Sequence, residues 1–234
     1  MSAGALLLWV VIPYVALTIF VVGHVWRYRR DQFMWTSRST QMLESRWLRW
    51  GSTLFHYGTF MAIGGHVIGI AIPAAVPDAF GIDEEGYHLI SVSAGTLAGV
   101  LVLAGFVILL YRRLRFPRVA ATTTRTDLVA YGALTVALVT GVIATSGWNL
   151  FVSGYDYRET VAPWFRGIFL LDPNPELMTE PPLIYQIHAL SASLLYAVWP
   201  FTRLVHAWSY PIQYLGRPYI LYRRRYAPAR RGGG

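Results

Sequence analysis

STLFHYGTFMAIGGHVIGIAI, residues 52–72, runs for the length of a membrane-crossing helix without an Asp, Glu, Lys or Arg, yet holds two histidines, His56 and His66. As an α-helix it is about 31 Å long, enough to cross roughly 30 Å of hydrocarbon. A second run, PLIYQIHALSASLLYAVWPFTRLVHAW at 182–208, carries His188 and His206 in the same manner. An ionisable group inside an apolar span is costly and calls for a partner. Working outward, apolar stretches near 5–26, 88–111 and 127–147 join 52–72 and 183–208, which predicts an all-α membrane protein of five transmembrane helices.

Composition agrees. Hydrophobic residues make up 55% of the 234, charged residues only 14%, and the mean hydropathy is +0.41, too apolar for a domain whose whole surface meets water. The first stretch, 5–26, lacks a basic leader and is too long for a signal-peptide core, so it is read as a permanent helix, with Pro13 a candidate kink. No repeat or long linker appears, and residues 1–234 read as one domain with a basic tail at 209–234. The absence of cysteine excludes disulfides, thiolate-bound zinc, cysteine-ligated clusters and covalent c-type haem.

All twenty basic residues are arginines, and all but Arg158 and Arg166 fall in the first connection, the third connection or the C-terminal end. The second and fourth connections hold Asp78, Asp83, Glu84, Glu85, Asp156, Glu159, Asp172, Glu176 and Glu180. Arginine-rich loops stay in the cytoplasm, so the N-terminus is expected outside and the C-terminus inside. Arginines tracing one membrane face, without a nucleic-acid-binding motif, argue for topology and lipid contact and against a nucleic-acid partner. In the long fourth connection, VAPWFRGIFLL at 161–171 is expected to lie along the interface through Trp164, Phe165, Phe169 and Leu170.

Opposite helix directions pair the histidines: His66 with His188 toward the outer face, His56 with His206 toward the inner. Each pair suits the two axial imidazoles of a b-type haem stacked between helices 2 and 5, six-coordinate and fit for electron transfer. Spacing permits this without requiring it. Eighteen residues from His188 to His206 return to one helix face with a rise of about 27 Å, whereas ten from His56 to His66 rise about 15 Å and fall some 80° short of closure. Pro200 offers a kink to absorb the mismatch. Zinc or a proton relay remains open for the set, and His24 taken alone reads as a polar group bonded to a neighbouring helix. Gly58, Gly64, Gly65 and Gly69 leave helix 2 bare, either for a flat macrocycle or, at Gly65 and Gly69, for a helix contact.

These residues resemble the gamma subunit of respiratory nitrate reductase, a membrane cytochrome b. The resemblance runs over nearly the whole chain: Leu54, Phe55, His56, Gly58, Gly65 and His66 in helix 2, QMLESR at 41–46, ATTTRTD at 121–127 and PFTRLVHAWSYPIQYL at 200–215. It implies two bis-histidine b haems on His56, His206, His66 and His188. It also implies quinol oxidation near the outer haem and transfer of electrons inward to an iron–sulfur subunit and then a molybdenum subunit. The expected location is the cytoplasmic membrane of a prokaryote. Nitrate chemistry belongs to another chain, since no P-loop, nucleophile elbow or dinucleotide fingerprint is present here.

The family carries a lysine beside its quinol site at the start of helix 3, and this chain has none. Tyr87 and His88 occupy that neighbourhood, and His88 is either a proton acceptor for quinol or an ordinary interfacial histidine. Arg203, Arg112 and Arg113 are candidates for haem propionates, or else snorkel to the interface. Two rival readings stay open: a cytochrome b of another quinone-linked enzyme, and a haem-free proton channel or transporter.

Overall fold

The computed structural model describes residues 2–152 and 155–208. Among the described residues there is no strand. Four helices are long and apolar enough to cross a membrane: α1 (Ala3–Arg30), α2 (Arg46–Ala71), α3 (Glu84–Arg115) and α4 (Arg125–Gly147). Two shorter ones follow, α5 (Val161–Leu170) and α6 (Leu183–Val198). The predicted basic tail, 209–234, and the end of the 200–215 motif lie outside the described residues.

The helix ends follow from local chemistry. At the start of α3 the Asp83 side chain accepts the Gly86 N–H at 2.9 Å, and Glu84 and Glu85 sit in the first turn, where the helix dipole favours negative charge. The other end carries Arg112, Arg113 and Arg115 against the negative pole. Thr124 and Asp127 close a capping box on α4.

Glycines bring α2 and α3 together backbone to backbone. A Cβ at Gly58 would strike the Val102 backbone, and one at Gly105 the Phe55 backbone. Gly58 therefore serves the close helix contact that lipid surroundings favour. Gly65 and Gly69 do not make such a contact: a Cβ at Gly65 meets nothing within 4 Å, and one at Gly69 would meet the Tyr157 and Tyr87 hydroxyls. Helix α6 packs on α1 and α4.

Two expectations need correcting. The stretch expected to lie along the interface is helical over Val161–Leu170, but Trp164 turns into the protein instead of outward: it is 4% exposed, inside a cluster with Trp9, Ile168 and Met178. The reason lies in α1. Pro13 has no N–H to give the carbonyl four residues back, that of Trp9. The Trp164 indole N–H donates to that carbonyl at 2.8 Å, and the two indoles meet edge to face at 5.9 Å. Phe169 and Leu170 do remain outward-facing.

The second correction concerns 183–208, which is not one helix. Regular α-helix stops at Val198, Trp199–Phe201 forms a 3₁₀ turn, Thr202 is extended, and Arg203–Trp208 forms a second 3₁₀ segment. Pro200 cannot continue the hydrogen-bond ladder, so carbonyls are released here. Buried Arg27 of α1 braces the break: its Nη1 donates to the carbonyls of Pro200 and Thr202, and its Nη2 ties them to the Met34 carbonyl. Gly23, one turn earlier, lies against the Pro200 ring.

Candidate functional site

His56 and His66 stand on α2, His188 on α6, and His206 on the 3₁₀ segment beyond the break. Helices α2 and α6 are not closely packed on each other, yet their imidazoles meet. The His56 and His206 rings have centroids 6.1 Å apart at an interplanar angle of 70°, and the His66 and His188 rings 5.9 Å apart at 38°. These are the two pairs that opposite helix directions select. Two imidazoles bonded to one metal from opposite sides, at about 2 Å per bond with about 1.1 Å from nitrogen to ring centre, have centroids about 6.3 Å apart. Both spacings lie within half an ångström of that value. Among the described residues no group of three or more His, Cys, Asp or Glu side chains is gathered for a metal ion. What the fold gathers is pairs.

The other ring nitrogens are held. Nδ1–H donates to the Ser52 carbonyl from His56 (2.7 Å), to the Ala62 carbonyl from His66 (2.7 Å) and to the Arg203 carbonyl from His206 (2.6 Å). The Thr140 hydroxyl gives its hydrogen to the Val136 carbonyl at 2.7 Å, so its oxygen accepts from His188 Nδ1–H at 3.1 Å. An imidazole fixed through Nδ1 offers Nε2 to a metal, with its tautomer set by the bond behind it. Thr140 and Gly141 escaped sequence reasoning. A Cβ at Gly141 would come within 2.9 Å of His188 Cε1, so the glycine makes room for the ring. Their only trace in the sequence is a Thr-Gly pair inside an apolar span.

Beyond Gly69, one turn past His66, the Tyr87 and Tyr157 hydroxyls bond each other at 3.0 Å, and the Arg158 guanidinium lies 4.3 Å above the Tyr87 ring. Burial alone would lower the Arg158 pKa, but its bonds to Asp156 hold it above the ordinary value. His88 takes another direction from its neighbour. Asn149 donates through Nδ2 to the Ala144 and Thr145 carbonyls, so its Oδ1 accepts His88 Nε2–H at 3.0 Å. A cleft of about 410 Å³ is lined by Glu84, Glu85, Tyr87, His88, Asn149 and Arg158.

The three candidate arginines all have protein partners. Arg112 donates through Nε to Glu44 at 2.6 Å, through Nη1 to the Thr40 hydroxyl and through Nη2 to the carbonyls of Thr40 and Glu44. It thereby ties the QMLESR stretch to the end of α3. Arg113 reaches the Thr122 and Thr123 hydroxyls and the Val119 carbonyl. Arg203 grips both oxygens of Asp127 at 2.8 Å. Gly64 and Gly65 border open space.

Fold and site together define a helical protein with four membrane-length apolar helices and two imidazole pairs held between helices that do not otherwise pack closely. The model of the nitrate reductase gamma subunit family matches residues 5–225, and the chain belongs to that family. It is 45% identical to the nitrate reductase gamma chain of Bacillus subtilis over 219 residues, covering 94% of this chain and 98% of the relative. It is 32% identical to the respiratory nitrate reductase 1 gamma chain of Escherichia coli over 215 residues, covering 92% and 95%. Nitrate reductase-like protein NarX of Mycobacterium tuberculosis is 50% identical over 220 residues, 94% of this chain. The chain spans only about a third, 34%, of that longer relative.

Proposed function

We propose that this chain is the quinol-oxidising, di-haem cytochrome b subunit of a respiratory nitrate reductase, crossing the cytoplasmic membrane of a prokaryote five times. The fifth crossing is α6 continued through the Trp199–Trp208 turns, and the N-terminus lies outside. The observation that carries the reading is the pair of imidazole couples at 5.9 and 6.1 Å, each backed by a bond to Nδ1. Two b-type haems, when bound, supply one-electron redox centres stacked across the membrane.

His66 and His188 would hold the outer haem, His56 and His206 the inner. Gly64 and Gly65, bare and bordering open space, leave α2 flat between its two ligands. The quinol site is assigned to the cleft at Tyr87 and His88. With Nε2–H given to Asn149, the His88 Nδ1 lone pair is the acceptor for a quinol hydroxyl proton. Glu84 and Glu85 on the cleft wall then offer that proton a way to the outer surface. The arginine-rich connections form the inner face toward an iron–sulfur subunit, which leads to a molybdenum catalytic subunit.

The test is quinol-driven reduction of b-type absorbance in membranes carrying the full chain with its partner subunits. Wild type is expected to show split alpha bands reduced by quinol. His88→Ala should keep both bands and slow their reduction by quinol, while dithionite reduces them fully. Wild-type quinol kinetics in His88→Ala would remove His88 from the site. A flat spectrum in the wild type would end the di-haem reading.

A further inference from the structure

The inner pair differs from the outer in how it is held. His56, His66 and His188 sit on regular helix, whereas His206 sits on six residues of 3₁₀ turn cut off from α6 at Pro200. Such a turn has poorer hydrogen-bond geometry than an α-helix and does not fix a side chain by itself. Its position is set from α4. Asp127 is 0% exposed. One of its oxygens accepts the Thr124 N–H at 3.0 Å within the capping box, and its two oxygens accept Nε–H and Nη2–H of Arg203 at 2.8 Å each. Arg203 opens the 3₁₀ segment, and its carbonyl accepts His206 Nδ1–H at 2.6 Å. The Tyr131 ring, one turn along α4, lies 5.8 Å from the same guanidinium. The Thr202 hydroxyl accepts the Leu204 N–H at 3.3 Å and steadies the start of the turn.

We infer that Asp127 is a positioning residue for the inner iron ligand, acting through Arg203 to fix the His206 imidazole and thereby to set the redox potential of the inner haem. This rests on the di-haem reading proposed above. It also gives one physical role to two separate stretches of sequence: ATTTRTD supplies the cap and the carboxylate, and RLVH supplies the guanidinium, the carbonyl and the ligand. A bidentate carboxylate–guanidinium pair is directional as well as strong, so it fixes orientation where a point contact would not. The pair is neutral as a unit. Without the carboxylate charge, the Arg203 cation stands unbalanced one turn from the ligand and favours the ferrous state. A slackened Nδ1–H bond makes the imidazole a weaker donor and acts in the same direction.

The experiment is a redox titration, with low-spin ferric spectra, of membranes carrying the full-length chain as wild type, Asp127→Asn and Arg203→Lys. Asp127→Asn is expected to raise the inner-haem ferrous:ferric ratio about tenfold at a fixed ambient potential, a shift of about 59 mV for a one-electron couple. It should also move the inner ferric signal and leave the outer haem unchanged. Arg203→Lys keeps the charge but loses the fork, and should move the inner signal less; it serves if Asp127→Asn does not accumulate. An inner haem with unchanged signal and potential in the accumulated variants would overturn the inference. A wild type without haem would overturn the di-haem reading itself, whereas two wild-type haems with an inner signal blind to these substitutions would overturn only the role of Asp127.

Discussion

One methyl group at Gly141 should weaken haem binding at the proposed outer site and spare the inner one. The Cβ of Gly141→Ala would lie 2.9 Å from His188 Cε1 and 3.3 Å from its Nδ1. Carbon atoms in contact prefer about 3.5–4.0 Å, so the imidazole has to retreat by about 0.6 Å or more. The ring is already tied to Thr140 Oγ1 at 3.1 Å and faces His66 at 5.9 Å between centroids. Movement toward His66 closes the space that two metal–nitrogen bonds would need in the proposed outer site, and movement sideways breaks the Thr140 bond. Loss of such a backing interaction weakens a metal site by about 10- to 100-fold, or about 1.4–2.8 kcal/mol. The assay is the haem-to-protein ratio of the purified chain by pyridine haemochrome, with a redox titration to identify which component is missing. Gly132→Ala on the same helix is the control, because a Cβ there meets nothing within 4 Å. Two haems with unchanged potentials in Gly141→Ala would show that the glycine does not make room for an outer ligand.

Gly58→Leu should abolish accumulation in the membrane by forcing α2 off the α3 backbone, while Gly64→Ala, with nothing within 4 Å of the new atom, should accumulate normally; immunoblots of membranes decide. Arg27→Leu leaves the buried carbonyl of Pro200 without its donor, at about 1–3 kcal/mol for a buried group left unsatisfied, and should lower the thermal midpoint more than Arg29→Leu does. Burial pushes the Glu44 carboxyl up, but the Trp47 N–H, Arg112 and the Leu48 N–H outweigh it and hold it below the ordinary carboxylate range. The stability it contributes is therefore full above that range and lost as pH falls through the depressed value. Glu44→Gln should flatten the acid limb of a thermal-midpoint against pH curve, and an unchanged acid limb would refute the assignment.

The histidine pairs were legible because two antiparallel helices that each carry two histidines leave each ring one partner. The break at Pro200 was legible only as a kink. Its full extent depends on Arg27 and Gly23, which come from the other end of the chain and have no periodic relation to it. Trp164 read as interfacial because its own segment is amphipathic; the carbonyl it reaches, at Trp9, is left without an N–H by Pro13 and can be recognised only once α5 lies against α1. The glycines of α2 looked alike in sequence. Gly58 faces α3, Gly65 faces open space and Gly69 faces two tyrosine hydroxyls, a division made by three neighbours that the local pattern does not record. Arg203 could be placed a turn from His206 by counting, but its partner Asp127 lies 76 residues away.

Single-histidine variants, read by redox-resolved spectroscopy of the ferric haems, show whether the four histidines act as two couples. His66→Ala and His188→Ala are predicted to lose or convert the same low-spin signal, and His56→Ala and His206→Ala the other, with the remaining signal intact in each case. Loss of different signals by His66→Ala and His188→Ala, or retention of both signals in all four variants, would contradict the account.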